Sequence, residues 1–177
     1  MKQREEGFTT QQQTGIQLRP AEAGDLGFAA LVYLRAMGPS LRRVVGLDAD
    51  QQAALLMAQW DIAEVRIIQA AGRDVGWVQL APAPAATFVR NICIDPDYHR
   101  LGIGTVVMRR VIDEAARRGD AVTLGVAKGN PARRLYDRLG FRFTHADKQH
   151  DFMRRPADPR PEPEKCPSGR QRRKLPR

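Results

Sequence analysis

Cysteine is scarce in this sequence, which has only Cys93 and Cys166 among its 177 residues. One lies inside an apolar run and the other in a proline-rich stretch, so they do not form a disulfide framework, and a reducing compartment is favoured. Long hydrophobic runs are also missing. Charge or glycine interrupts each apolar stretch within about ten residues, well short of the roughly twenty needed to span a bilayer. We therefore expect no transmembrane helix and no membrane partner.

The beginning of the sequence lacks the apolar segment that a secretory signal requires. Residues 1–14 are polar and rich in glutamine, whereas a signal peptide needs a continuous apolar core. We therefore interpret residues 1–14 as a flexible leader. Together with the scarcity of cysteine, this favours a cytoplasmic protein.

Positive charge is abundant but unevenly distributed. The formal net charge is +9, and residues 154–177 hold nine Lys or Arg against three Asp or Glu, so this stretch supplies +6 of it. Six of the twelve prolines also lie from Pro156 onward. A segment with so few apolar side chains does not offset its ordering entropy, so we predict that residues 156–177 form a disordered tail. Its basic end suggests nucleic-acid binding, but a solvated tail is the preferred interpretation.

The remaining residues, 15–155, are predicted to form one mixed α/β (α+β) domain. The length suits a single core, and 42 % of the residues are hydrophobic. Apolar periodicity predicts six to seven strands and about four helices. The predicted strands are 16–19, 64–71, 75–81, 87–94, 121–127, one from about 141 and one at 150–154. The predicted helices are 21–37, one from 48, one that ends at 118 and one after 130.

A helix connects the strands at 87–94 and 121–126, which predicts that these two strands are parallel neighbours. The turn between the first strand and this helix reads Gly102-Ile103-Gly104-Thr105. Glycine lets the backbone turn tightly and present successive N–H groups to an anion, and the helix N-terminus adds partial positive charge. A diphosphate is the natural ligand of such a turn. A P-loop is excluded because the Gly-Lys-Ser/Thr element is missing, and a dinucleotide fingerprint is excluded because its third glycine is missing.

The surrounding run, ICIDPDYHRLGIGTVVMRRVIDEA, resembles the cofactor loop of the GNAT acetyltransferase superfamily. The usual form of that loop is Gln or Arg, two residues, Gly, any residue, then Gly or Ala. His99 takes the first position here, and the adjacent Arg100 offers a positive charge instead. One strand later, NPARRLYDRLGF at 130–141 resembles the Asn, Ala, Leu-Tyr, Gly-Phe segment of the same superfamily. The two motifs at this spacing are together much more specific than either alone.

The resemblance implies an N-acetyltransferase of GNAT-like fold that uses acetyl-CoA and needs no metal. It implies that backbone N–H groups of the loop hold the coenzyme A diphosphate; the loop residues are Arg100, Leu101, Gly102, Ile103, Gly104 and Thr105. It also implies that Ile92, Cys93 and Ile94 contact the pantetheine arm, with the Ile92 N–H polarising the thioester carbonyl. Asn130 and Arg133 would contact the cofactor as well.

Tyr136 stands at the general-acid position of the superfamily. A phenol, with a reference pKa near 10, suits the protonation of a departing thiolate. The general base is left open, because the strand at 87–94 contains no carboxylate and Phe88 stands where some members have Glu. Glu64, Asp61, His99 and a chain of water molecules remain candidates.

The acceptor is also left open. The resemblance implies that residues 33–60 build its pocket, and the acceptor would be a primary amine of a small molecule or of a protein. A homodimer is one option for the oligomeric state. The alternative function is a non-catalytic module that senses acetyl-CoA or binds nucleic acid through the basic tail.

Overall fold

A seven-stranded mixed sheet runs through the part of the chain that the structure describes, residues 15–157 of a computed structural model. Its spatial order is β1-β2-β3-β4-β5-β7-β6. The strands are β1 (Ile16–Pro20), β2 (Val65–Ala70), β3 (Arg73–Ala83), β4 (Ala86–Ile94), β5 (Ala121–Ala127), β6 (Arg142–Ala146) and β7 (His150–Arg155). The predicted flexible leader lies outside the described residues, and so does the predicted tail beyond residue 157.

Five α-helices accompany the sheet within residues 15–157. They are α1 (Asp25–Ala36), α2 (Gly38–Val45), α3 (Ala49–Gln59), α4 (Ile103–Arg118) and α5 (Arg133–Arg138), and a short 3₁₀ helix covers Pro96–Tyr98. This confirms the mixed α/β prediction, with one helix more than the four expected. The additional helix is α2, where Pro39 occupies the first turn and Gly46 ends the helix with a φ of 77°. Proline at a helix start and glycine just past its end are both favourable.

Local signals in the sequence set several of these boundaries. Asp48 caps α3, because its side chain accepts from Gln51 N while the Gln51 side chain accepts from Asp48 N. The predicted strands leave residues 72–74 for the turn between β2 and β3, whereas the structure has a shorter turn at Ala71 and Gly72. Ala71 and Gly72 both have positive φ there, as a two-residue hairpin turn requires.

The strand pairing agrees with the predicted crossover. β4 and β5 pair in parallel, with α4 connecting them, whereas the other neighbours in the sheet are antiparallel. The sheet has a hydrophobic cluster on each side. One includes residues of α4 and α5, among them Val107, Met108 and Tyr136. The other packs α1 and α3 around Trp77. No helix within residues 15–157 is long and apolar enough to cross a bilayer.

Candidate active site

The centre of the sheet is open along one side of β4. Its parallel pairing with β5 runs from Ala86↔Ala121 to Val89↔Leu124 and stops there. Beyond that point β4 continues to Ile94 against β3 only, and β5 continues to Ala127 against β7 only. The two strands therefore diverge, and the second half of β4 has a free backbone edge.

The direction of the backbone groups on this edge follows from one hydrogen bond. Asp95 N donates to Val75 O of β3 at 2.9 Å. Amide directions alternate along a strand, so the N–H groups of Ile92 and Ile94 point away from β3, toward the gap between β4 and β5. A ligand with amide groups can pair with this edge as an additional strand does.

The loop that follows β4 presents further N–H groups. Gly102 immediately precedes α4 and has a φ of 80°, and Arg100 also has a positive φ, of 63°. The first N–H groups of α4, from Ile103 to Thr105, have no carbonyl partner inside the helix. Free N–H groups at a helix N-terminus form an anion site. The free backbone edge of β4 and the N-terminus of α4 are thus adjacent. This arrangement fits an extended ligand with an amide arm and a diphosphate.

Gly104, in the first turn of α4, packs close to the side chains of Ile94 and Leu135. A Cβ at Gly104 would lie 3.5 Å from Ile94 Cδ1 and 3.5 Å from Leu135 Cδ2, which is ordinary van der Waals contact. Alanine is therefore accommodated, consistent with a motif that accepts Gly or Ala at this position. Gly102 differs, because its left-handed φ disfavours any Cβ.

Tyr136 belongs to α5 and is buried, with 6 % of its surface exposed. Its ring packs edge-on against Phe141 at 5.8 Å between centroids. Burial, and secondarily the neighbouring Cys93, raises the pKa of the Tyr136 hydroxyl to about 12. The hydroxyl therefore keeps its proton at neutral pH and is available as a donor.

The other predicted cofactor contacts occupy different environments. Asn130 caps the turn before α5, where its Oδ1 accepts from Ala132 N at 2.9 Å. Arg133 forms an ion pair with Asp151 of β7 and lies 5.7 Å over the ring of Phe143. Its guanidinium is thus engaged within the fold.

The residues of β4 divide between the two faces of the sheet. Cys93 is buried in the cluster of α1 and α3, and burial raises the pKa of its thiol to about 12. Ile92 and Ile94 are half-buried against the opposite cluster. His99 folds back onto the open edge, where its Nε2 donates to Ile94 O at 2.7 Å. His99 therefore occupies one of the backbone acceptors that face the gap.

The carboxylates considered as a base have partners in the fold. Asp61 Oδ1 accepts from Ala63 N at 3.0 Å in a turn. Glu64 Oε2 accepts from Gln79 Nε2 at 2.9 Å and from Arg90 Nε at 3.0 Å. This last cluster is absent from the sequence predictions, and its only local signal is a charged residue, Arg90, inside an apolar strand.

A salt bridge between α1 and the loop after β4 also has no counterpart among the sequence predictions. Arg35 Nη1 lies 2.5 Å from Asp95 Oδ2, and Arg35 Nη2 lies 3.1 Å from Asp97 Oδ2. These groups are 60 or more residues apart in sequence. Periodicity therefore contains no signal for the contact.

Comparison with known proteins shows the family of this chain. The model of the acetyltransferase (GNAT) family matches residues 40–141, more than half of the chain. The chain therefore belongs to the GNAT acetyltransferase family.

Among curated proteins, the chain is similar to the [ribosomal protein bS18]-alanine N-acetyltransferases of Escherichia coli and Shigella flexneri. It is 45 % identical to each over 53 residues, which are 29 % of this chain and 36 % of the relative. The match thus spans only about a third of the length of these relatives.

Solved structures show the same fold. The PaiA N-acetyltransferase from Thermoplasma acidophilum in complex with coenzyme A has a TM-score of 0.68 at 13 % identity, covering 80 % of this chain and 98 % of that one. The ribosomal-protein-S18-alanine N-acetyltransferase from Escherichia coli has a TM-score of 0.62 at 23 % identity, covering 83 % and 97 %.

Proposed function

We propose that this protein transfers an acetyl group from acetyl-CoA to a primary amine of a small molecule or a protein. The observation that carries the proposal is the continuity between the free edge of β4 and the N–H groups at the start of α4. An extended thioester with a diphosphate needs both. Family membership supports the same reaction class.

The residues that would hold acetyl-CoA follow from the site. N–H groups from Arg100 to Thr105 bind the diphosphate, and the edge from Ile92 to Ile94 pairs with the pantetheine arm. Asn130 and Arg133 remain proposed cofactor contacts, and for Arg133 this requires release from Asp151. When bound, acetyl-CoA supplies the activated acetyl thioester.

The protein then contributes two groups to the chemistry. The Ile92 N–H donates to the carbonyl oxygen of the acetyl group, where negative charge develops during attack by the amine. Tyr136 donates its proton to the departing sulfur, since burial keeps its hydroxyl neutral. The attacking amine releases a proton to solvent as the amide forms, and the resulting tyrosinate takes up a proton from solvent before the next turnover.

For the acceptor, only the chemical class is proposed, a primary amine. The curated relatives act on an alanine of ribosomal protein bS18, as their names state, and a protein N-terminus is one form of primary amine. A cytoplasmic location, independence from metal and a homodimer are further predictions. None of them affects the proposed reaction.

A panel of small amines and N-terminal peptides, assayed for release of free thiol from acetyl-CoA, tests the proposal. We expect turnover with at least one acceptor and a strong loss of kcat in Tyr136→Phe. The control is the coenzyme A affinity of the variant, which should stay close to that of the wild type. Binding of coenzyme A without transfer to any amine would favour a sensing module instead.

A further inference from the structure

We infer that Glu64, Gln79 and Arg90, here called the bulge clamp, are positioning residues that fix the direction of the Ile92 N–H. This inference rests on the proposed function. It concerns how the fold aims a backbone group and does not make Glu64 a catalytic residue.

The pairing of β4 with β3 is irregular at one point. Gln79 of β3 pairs with Asn91, and the next residue, Leu80, pairs with Val89. Arg90 therefore has no partner in β3 and forms a β-bulge. Because residues alternate along a strand, the bulge determines which amides beyond it face the gap. Without the additional residue, the Ile92 N–H would turn toward β3.

The bulge in β4 lies directly after the end of the pairing with β5. The last residue of β4 that pairs with β5 is Val89, and the bulge begins at the next residue. The bulge therefore lies where the two strands begin to diverge. Whatever fixes Arg90 also fixes the beginning of the open edge.

A side-chain contact with Glu64 holds Arg90 in place. Its Nε donates to Glu64 Oε2 at 3.0 Å, and the same oxygen accepts from Gln79 Nε2 at 2.9 Å. The Glu64 backbone is held as well, since its carbonyl accepts from Leu80 N at 2.9 Å. Only 15 % of the Glu64 side chain is exposed. Water therefore screens this ion pair less than a pair on the open surface.

Gln79, the third member of the bulge clamp, is fully buried. Its Nε2 donates to Gln59 O at 2.7 Å as well as to Glu64, which fixes the orientation of the amide. Gln79 Oε1, in contrast, has no hydrogen-bond partner in the described part of the chain. A buried acceptor without a donor is unfavourable. Its presence indicates that the orientation of the Gln79 amide toward Glu64 is retained despite that cost.

Two roles for Glu64, a general base and a member of the bulge clamp, can be distinguished by substitution. A general base needs an ionisable carboxylate, whereas a clamp needs only an oxygen that accepts two hydrogen bonds. Glutamine keeps such an oxygen but does not accept the proton. Glu64→Gln and Glu64→Ala therefore give different results in the two cases.

The test measures kcat, KM for both substrates and the Kd of coenzyme A in these two variants. We expect Glu64→Ala to lower kcat on the order of tenfold to a hundredfold, because a small displacement of a catalytic group has effects of this size. KM for the amine should change little, and Kd for coenzyme A should rise. The kcat of Glu64→Gln should stay within about threefold of the wild-type value, because the catalytic group is displaced much less.

Glu114→Ala is the matched control. Glu114 of α4 forms an ion pair with Arg66 of β2, at 2.7 Å between Arg66 Nη1 and Glu114 Oε2, and neither residue belongs to β4. The Glu114→Ala substitution should lower the thermal stability of the protein without lowering kcat. If Glu64→Ala does not fold, Arg90→Ala removes the other partner, whose side chain is 43 % exposed, and the same kinetic losses are expected from it.

Two results would overturn the inference. Equal losses in Glu64→Gln and Glu64→Ala would show that the carboxylate itself is needed. Wild-type kinetics and coenzyme A affinity in Glu64→Ala and Arg90→Ala would show that the bulge needs no clamp. Failure of the proposed function is distinguishable, because it is seen in the wild type as the absence of transfer to any amine. The coenzyme A affinities of the variants then still test the clamp.

Discussion

Val89 and Leu124 are the last residues that pair β4 with β5. The N–H groups of Ile92 and Ile94, a few residues farther along, have no strand on the side of the gap. In a sheet that is otherwise continuous, this gap is where a ligand can complete the backbone hydrogen bonding.

Hydrogen exchange tests whether coenzyme A occupies this edge. We expect coenzyme A to slow amide exchange at Ile92 and Ile94, since these N–H groups would gain acceptors. The segment 65–70 in β2 is the control, because it is already paired on both sides. The measurement is exchange with and without coenzyme A, followed by NMR or mass spectrometry. If coenzyme A slowed amide exchange equally at Ile92 and Ile94 and in segment 65–70, binding at the edge would be contradicted.

The two loop glycines should respond differently to alanine. Gly102→Ala places a Cβ on a residue with a φ of 80°, which costs about 1 kcal/mol or more of folding free energy. Its coenzyme A affinity should fall because the N–H groups of the loop are displaced. The Cβ of Gly104→Ala meets only ordinary contacts at 3.5 Å. The loss of coenzyme A affinity in this variant should therefore be much smaller.

Calorimetric titration of both variants with coenzyme A checks this prediction. Urea unfolding gives their stabilities. A larger loss of affinity in Gly104→Ala than in Gly102→Ala would contradict the assigned backbone roles.

The donor half of the site was largely predictable from local patterns. Strand periodicity at 87–94, the Gly102–Gly104 spacing and the crossover helix all act over short distances along the chain. They place Ile92, the loop and Tyr136 on successive elements, and the parallel pairing of β4 with β5 then follows from the connection.

The rest of the site depends on contacts between residues that are distant in sequence. Glu64 and Arg90 are 26 residues apart, and neither position has a motif that indicates the pair. The bulge at Arg90 leaves the apolar pattern of the strand almost unchanged, so periodicity does not locate it. The short helix α2 has too few turns to give a clear periodic signal.

Gly76 and Gly27 provide a stability test of the central sheet. A Cβ at Gly76 would lie 2.3 Å from Cys93 O, a backbone atom of β4, whereas a Cβ at Gly27 in α1 meets nothing within 4 Å. Gly76→Ala should lose more than about 2 kcal/mol of unfolding free energy through overpacking. Gly27→Ala should gain about 0.5–1 kcal/mol, because alanine favours a helix. Urea denaturation of the two variants measures both changes, and a tolerated Gly76→Ala would refute the close approach of β3 and β4.

The pH dependence of kcat tests the role of Tyr136. The protonated phenol is the competent form of a general acid, and its pKa is raised to about 12. Activity should therefore show no loss from tyrosine ionisation between about pH 7 and 10. Initial rates at saturating substrates over this range give the profile. A decline with an apparent pKa below 10 that disappears in Tyr136→Phe would contradict the assignment.

Cys93 should make the protein less stable in alkaline solution. Burial raises the pKa of its thiol from 9.0 to about 12, so above pH 9 the unfolded chain loses this proton while the folded protein retains it. The contribution to stability is complete below pH 9 and is lost as the pH rises toward 12. The loss is about 1.4 kcal/mol of unfolding free energy per pH unit within that window.

Tyr136 adds a loss of the same sign once the pH exceeds the ordinary pKa of a tyrosine, about 10, because burial raises the pKa of its hydroxyl as well. Urea unfolding of the wild type and of Cys93→Ala between pH 7 and 10 isolates the contribution of the thiol. Cys93→Ala should be less stable at pH 7, because a buried side chain is shortened. Its stability should nevertheless decline less steeply from pH 9 to 10. Parallel pH profiles for the two proteins would show that the thiol does not titrate differently in the folded and unfolded states.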